Sequence, residues 1–190
     1  MTAADLPMPT PVPALPAALR TAAFADDATV RARLAEIGRL GLLGDEADAR
    51  LREAVAALAG RFDLPVALVS IVLDDTQLFL ASHGLSGWVE AVQGSPAEWS
   101  YCQHALASDG PLVIPDTRAD PRTADSPFTT QEGFGCYAGA PLVTARGVAI
   151  GTVCVIGTAA RPFAAHEVAA LRETAAALMA HLERRATAAA

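Results

Sequence analysis

The chain has 190 residues, of which 52% are hydrophobic, and a net charge of −7. It is long enough for one domain with a sizeable core. All fourteen basic side chains besides histidine are arginine, and lysine and asparagine are both missing, which excludes a Schiff-base lysine, a P-loop lysine or a lysine general base. The acidic balance and the scattered arginines argue against nucleic acid, which needs a basic face. No apolar run approaches the roughly 20 residues of a membrane span, and no basic segment precedes an apolar one at the N-terminus. No membrane partner is expected, and a cytoplasmic location is.

Residues 1–25 carry Pro7, Pro9, Pro11, Pro13 and Pro16 and read as a flexible, proline-rich tail. The domain itself is expected over 26–187. Asp26 and Asp27 can cap a helix from about Ala28 to Leu40, with Val30, Leu34, Ile37 and Leu40 on one stripe. Asp45 is expected to cap a second helix to about Arg61, with Leu51, Val55, Leu58 and Phe62 at 4-3-4 spacing.

The β-branched run at 65–74 and the segment 76–83 flank Asp74-Asp75 and read as a hairpin. Residues 84–97, with three glycines and a proline, read as a loop. A short helix is expected from Glu98 to Ser108, then a strand at 111–115. The polar segment 116–135 reads as a long loop with at most one helical turn, and loops of that length are often functional. Residues 137–156 form two apolar strands about a two-residue turn at Arg146-Gly147. Few polar side chains interrupt them, so both faces should be covered. A last helix runs from Ala165 to Arg185. Its Val168, Leu171, Ala175, Leu178 and Leu182 repeat at 3-4-3-4, a seam that suits core packing or a two-helix dimer contact equally.

No long crossover helix links successive strands, so the expected fold is α+β. Its sheet is antiparallel and carries helices from both chain ends on one face.

Several segments in order now carry a resemblance. S-Y-C-Q-H-A-L at 100–106, P-L-V-I-P-D-T-R-A-D-P-R at 111–122, Y-A-G-A-P-L at 137–142 and I-G-T-V-C-V-I at 150–156 resemble a GAF domain of the bacterial signalling type. R-L-A-E-I-G-R-L-G-L-L at 33–43 resembles the usual lead-in, so the likeness spans about 28–186. It implies five or six antiparallel strands, with terminal helices on one face and a ligand pocket on the other, beneath the short helix and the long loop. Family members bind cyclic nucleotides, tetrapyrroles, haem or small metabolites, or nothing known, and many dimerise through the terminal helices. Two positions depart from the subtype. Gly157 stands where an acid usually closes the last strand, and Ala164 offers no side-chain acceptor to cap the last helix.

Cys102, Cys136 and Cys154 show no C-x-x-C spacing and no zinc-finger partner, and a disulfide framework does not suit a cytoplasmic chain of this size. Cys102 and His104 point about 200° apart on a helix, so they cannot form a dyad, and cysteine is usually buried, so Cys102 reads as packing. In bilin-binding relatives the attachment cysteine lies in the loop or helix before the last hairpin. Residues 116–135 hold neither cysteine nor histidine, which disfavours a covalent bilin. The resemblance also extends to an enzyme that reduces free methionine sulfoxide with cysteines: Cys102 sits near where one of them would fall, the catalytic one would lie in that same loop, and Cys136, the nearest candidate, reads as the first residue of a strand. With a two-residue turn Cys154 faces Gly139, which puts Cys136 and Cys154 on opposite sheet faces unless a bulge intervenes. The cyclic-nucleotide version of the family relies on Asn and Lys, which this chain lacks.

The candidate ligand-binding residues are Trp88, Trp99, Tyr101, Cys102, Asp116, Arg118, Arg122, Phe128, Phe134 and Tyr137. Arginine in the 116–122 alternation can fork onto a carboxylate or phosphate, or can hold its own loop through local salt bridges. Aromatic rings can line a ligand site or simply fill the layer. His83, His166 and His181 cluster with no other ligand type, so no metal is predicted; His181 suits the C-terminal dipole of its helix.

The expected function is a small-molecule sensor or regulatory module of unknown ligand and cofactor. No catalytic residue is assigned. It is expected to form a homodimer through its terminal helices, and to act on a separate signalling output protein because no output segment follows the last helix. Two alternatives stand beside it: a thiol-based redox sensor or sulfoxide-reductase-like enzyme, and an interaction module with no ligand, which a pocket filled by its own side chains would favour.

Overall fold

The computed structural model describes residues 27–44 and 48–189. The proline-rich segment, Asp26 and Asp45 lie outside these residues.

Six antiparallel strands form one sheet in the order β3-β2-β1-β6-β5-β4. They are β1 (Val66–Val72), β2 (Thr76–His83), β3 (Gly94–Pro96), β4 (Leu112–Ile114), β5 (Cys136–Val143) and β6 (Ala149–Gly157). The helices are α1 (Asp27–Arg39), α2 (Ala49–Phe62), α3 (Gly87–Val92), α4 (Cys102–Leu106), α5 (Pro127–Thr130) and α6 (Ala165–Ala189). This is the expected α+β arrangement, with α1, α2 and α6 on one face and α3, α4 and α5 on the other. β3 and α3 arise within the segment expected to be a loop. Three residues suffice for β3 because it only pairs along the edge of β2. The expected helix from Glu98 is shorter: a 3₁₀ turn at Ala97–Trp99 precedes α4.

Alternation splits the core in two. Ala67, Val69 and Ile71 of β1 pack with Leu51, Val55, Leu58 and the α6 seam, whereas Val66, Leu68 and Val72 face the short helices. In β2 the pairing skips Leu80 between Ser70↔Phe79 and Val69↔Ala81. This bulge turns Ala81 to the helical face while Gln77 and Phe79 stay on the other.

The last hairpin turns through three residues, Ala145, Arg146 and Gly147, and not two. Gly147 N–H donates to Thr144 O and Thr144 N–H to Val148 O, and Gly147 adopts φ 78°, the left-handed conformation such a loop requires. A register shift between Leu142 and Val143 absorbs the extra residue, so Cys154 still faces Gly139. Cys136 faces Gly157. A Cβ at Gly157 would come within 2.8 Å of Cys136 Sγ and of Leu64 Cδ2, so an acid there requires those two side chains to shift.

The termini dock through charge as well as apolar contact. Leu171, Ala175, Leu178 and Leu182 are buried against the sheet, so the seam of α6 is core. On α1 the stripe is not the expected one: Leu34 is exposed, while Arg33 and Glu36 are buried beside Ile37 and Leu40. Arg33 Nε donates to Ala149 O at 3.2 Å, and Glu36 accepts from Arg39 and Arg146. Arg39 also reaches Glu183 on α6 at 2.9 Å. The N-cap of α2 is Asp48, three residues beyond the expected start, and it accepts from Arg50 N–H and Leu51 N–H. His181 meets Asp48 Oδ2 at 2.7 Å and Arg185 meets it at 3.1 Å, so His181 serves the neighbouring helix. At α6, Glu167 accepts from Ala164 N–H at 2.8 Å, supplying from within the helix half of the cap that Ala164 lacks.

Burial pushes the Asp48 carboxyl up, but its bond to His181 and the backbone N–H groups outweigh this and hold it below the usual value. Its stabilisation is present above the unfolded pKa, about 3.9, and is lost as pH falls through the lower folded value. Asp48→Asn is therefore expected to lower the melting temperature at pH 6 and to narrow the gap from wild type at pH 3. An unchanged gap in paired thermal melts would count against this role. No helix among the described residues is long and apolar enough to cross a membrane.

Candidate functional site

A cavity lies between the sheet and the short helices. Its floor is Leu68 of β1, Gln77 and Phe79 of β2, Tyr137 of β5 and Ile156 of β6. Its roof is Leu85, Val89 of α3, Ser100, Tyr101 and Cys102 at the start of α4, Phe128 of α5 and Phe134. Alternation in four strands aims the floor side chains the same way, and the 3₁₀ turn delivers three consecutive residues to the roof. Among the described residues no arginine, histidine or carboxylate lines it. The free volume is about 20 Å³, room for roughly one water molecule.

Of the ten residues expected to form the site, Tyr101, Cys102, Phe128, Phe134 and Tyr137 line this cavity. Trp99 and Trp88 stand behind them. Trp99 packs edge-on to Phe128 with centroids 6.2 Å apart, and Trp88 packs edge-on to Trp99 at 5.8 Å. Trp88 is 41% exposed and donates to Glu132 at 2.8 Å. Trp99 Nε1 is buried with no hydrogen-bond partner among the described residues. Asp116, Arg118 and Arg122 do not line the cavity. Asp116 accepts from Arg118 N–H, Arg122 forks onto Asp120 with Nε at 2.9 Å, and the Arg118 side chain is exposed. Of the alternation, one local ion pair forms, Arg122 with Asp120, while Arg118 meets Asp116 only through its backbone N–H.

The loop over the cavity is pinned by hydroxyls. Thr117 donates to Phe134 O, Thr123 to Thr117 O, and Thr129 to Thr123 O at 2.6 Å. Thr129 has spent its proton, so Tyr101 OH donates to Thr129 Oγ1, also at 2.6 Å. Ser126 donates to Trp99 O. The long segment is thus ordered from within and tied to the roof at two points.

Below α4 the apolar wall is interrupted. Gln77 Nε2 donates to Cys102 Sγ at 3.2 Å, Tyr137 OH donates at 3.6 Å, and Cys154 Sγ lies 4.0 Å away. Ser70 and Thr152 meet each other at 3.4 Å on the adjacent strands β1 and β6. Tyr137 OH can lie here because residue 139 is glycine: a Cβ there would overlap the phenol oxygen. The contact with Cys154, then those with Thr152 and Tyr137, hold the Cys102 thiol below its usual range against the effect of burial. The same contact, with burial, pushes Cys154 up. Burial pushes Tyr137 well above the ordinary tyrosine value. His104 lies half-buried on α4 without meeting Cys102, as their angular separation requires.

Gln77, Cys154, Ser70 and Thr152 were missed in the sequence. The signal was the parity of the cavity face, shared by Ser70, Thr152 and Cys154 within apolar strands and by Gln77 at the start of β2. What brings Cys154 to Cys102 is the packing of α4 on β6, which no local pattern records.

Residues 46–182 match the family described as the GAF domain. The chain is 38% identical over 152 residues to the cyclic di-GMP phosphodiesterase PA2567 of Pseudomonas aeruginosa, an overlap of 79% of this chain but 25% of that protein. Among solved structures it is similar to a free methionine-R-sulfoxide reductase from Neisseria meningitidis in complex with its substrate, with a TM-score of 0.61 and 21% identity over 88% of this chain and 96% of that one. It is also similar to the GAF domain of an Acinetobacter phosphoenolpyruvate-protein phosphotransferase, with a TM-score of 0.61 and 17% identity over 83% and 92%. At these identities the structures speak to fold alone.

Proposed function

The chain belongs to the GAF domain family, and from that premise we propose that it is a regulatory module that binds a small, uncharged, largely apolar molecule beneath α4 and the loop 116–135. The observation that carries this reading is the cavity's lining, aromatic and aliphatic with Gln77 and Ser100 as neutral polar groups and no charge. A buried phosphate needs arginine forks or a helix N-terminus. Arg122 is spent on Asp120 and Arg118 points to solvent, so cyclic di-GMP does not suit this cavity. Entry of a ligand must displace Phe128 or Phe134. Their segment is hydrogen-bonded to the roof through Tyr101 and Ser126, and its reordering is how occupancy would be read out. The similarity to one quarter of a cyclic di-GMP phosphodiesterase supports coupling to a separate output activity. We place any homodimer contact on the outer residues of the terminal helices, since the seam of α6 is taken by the core.

The free volume favours a second reading, an interaction module without ligand. One experiment separates the two. Thermal melts with indole and other neutral aromatic probes are expected to rise, and those with cyclic di-GMP are expected not to. At about 100 times Kd the stabilisation is about 2.7 kcal/mol, or roughly 5–10 °C for a domain of this size. No shift with any probe favours the ligand-free module, and a shift with cyclic di-GMP alone overturns the assigned ligand class.

A further inference from the structure

Cys102 and Cys154 are both buried, with their sulfur atoms 4.0 Å apart across the layer between α4 and β6. A disulfide needs about 2.05 Å, so the sulfurs must close by about 2 Å. Buried cysteines usually pack as inert small hydrophobes. These two differ on two counts. Cys102 Sγ sits in a polar cluster inside an apolar layer, and the donors Gln77 and Tyr137 aimed at the sulfur ease the loss of its proton as it attacks. Cys102 also lines the cavity, whose free volume admits one water-sized molecule. Hydrogen peroxide is near that size and uncharged, whereas glutathione is neither.

We propose that Cys102 and Cys154 form a redox-active pair: Cys102 is the thiol that reacts with hydrogen peroxide, and Cys154 is the thiol that resolves it to a disulfide. In the first step the Cys102 sulfur attacks one peroxide oxygen. An S–O bond forms, the O–O bond breaks, and the departing hydroxide takes the Cys102 proton as water; sulfur is oxidised and peroxide reduced by two electrons. In the second step the Cys154 sulfur attacks the sulfenic sulfur. The S–S bond forms, the S–O bond breaks, and the hydroxide leaves with the Cys154 proton as a second water. The disulfide draws α4 onto β6 and removes the sulfur acceptor used by Gln77 and Tyr137, beneath the same roof that carries Tyr101. Cys136 takes no part, because it lies on the opposite face of the sheet. The pair requires no ligand in the cavity, so it stands or falls apart from the binding reading.

The test treats the reduced, full-length protein with hydrogen peroxide, unfolds and alkylates it, and maps the peptides by mass spectrometry. The expected product is a cross-link between the Cys102 and Cys154 peptides, two hydrogen atoms lighter and reversed by dithiothreitol, with Cys136 alkylated. Cys154→Ser is expected to stop at a dimedone-reactive sulfenic acid on Cys102, and Cys136→Ser is expected to react at the wild-type rate. Should Cys154→Ser fail to fold, the wild-type map decides alone. The proposal is overturned by a disulfide that includes Cys136 or joins two chains. It is equally overturned if only urea-unfolded protein is oxidised, or if free methionine sulfoxide oxidises the pair where peroxide does not.

Discussion

Replacing Gly151 by alanine is expected to destabilise the protein severely. Gly151 lies in β6, opposite Leu142 of β5 and Ile71 of β1. A Cβ there would overlap the Ser70 carbonyl oxygen and lie 2.7 Å from the Ser70 carbonyl carbon and 2.8 Å from Ile71 Cα. All three are backbone atoms, so no rotamer change relieves the clash and the two central strands must separate. The expected loss exceeds about 4 kcal/mol, the range kept for such breaks, against a total of about 5–15 kcal/mol for ordinary domains. Gly38→Ala, on the exposed side of α1 with nothing within 4 Å of its Cβ, is the control. It is expected to stabilise by up to about 1 kcal/mol. Urea midpoints measure both, and a Gly151→Ala loss within 1 kcal/mol of zero would contradict the close approach.

Phe128→Ala is expected to weaken the fold and open the cavity together. Phe128 is 6% exposed and packs its ring against Trp99, Tyr101 and Phe134, with centroids 5.6–6.2 Å apart. Truncation of a buried phenylalanine costs about 3–5 kcal/mol. The space it leaves joins the existing cavity, so a neutral aromatic probe should raise the melting temperature of the variant more than that of wild type. Equal shifts in the two proteins would separate the cavity from any binding role, even with the stability loss as expected.

Much of the architecture was legible because it rests on local signals. The β-branched run at 65–74 and the apolar pair at 137–156 could only be strands, and the lack of crossover helices left an antiparallel sheet. The Gly139↔Cys154 register came out of a simple count, although the count assumed the wrong turn: the bulge at Leu142/Val143 cancelled the extra residue. Where the expectation failed, tertiary contact had overridden pattern. Leu34 reads as core on α1, but the buried side is set by Arg33 and Glu36, whose distant partners, Ala149 O and Arg146, lie on the last hairpin. The start of α2 moved to Asp48 because that carboxylate is also held from α6.

The site divides the same way. Its aromatic residues were legible, since a short helix and a loop rich in rings must cover something. The arginines of 116–122 looked like ligand groups because their type suits anions, and only the structure shows Arg122 folded back on Asp120. By itself the sequence carried the family, through several motifs in order along the chain, and it determined the antiparallel α+β fold, because periodicity and turn chemistry act over a few residues. The tertiary structure decided that the cavity is uncharged and nearly filled, and that the partner of Cys154 is Cys102. Those facts depend on how two layers meet, and residues 52 positions apart share no local periodicity.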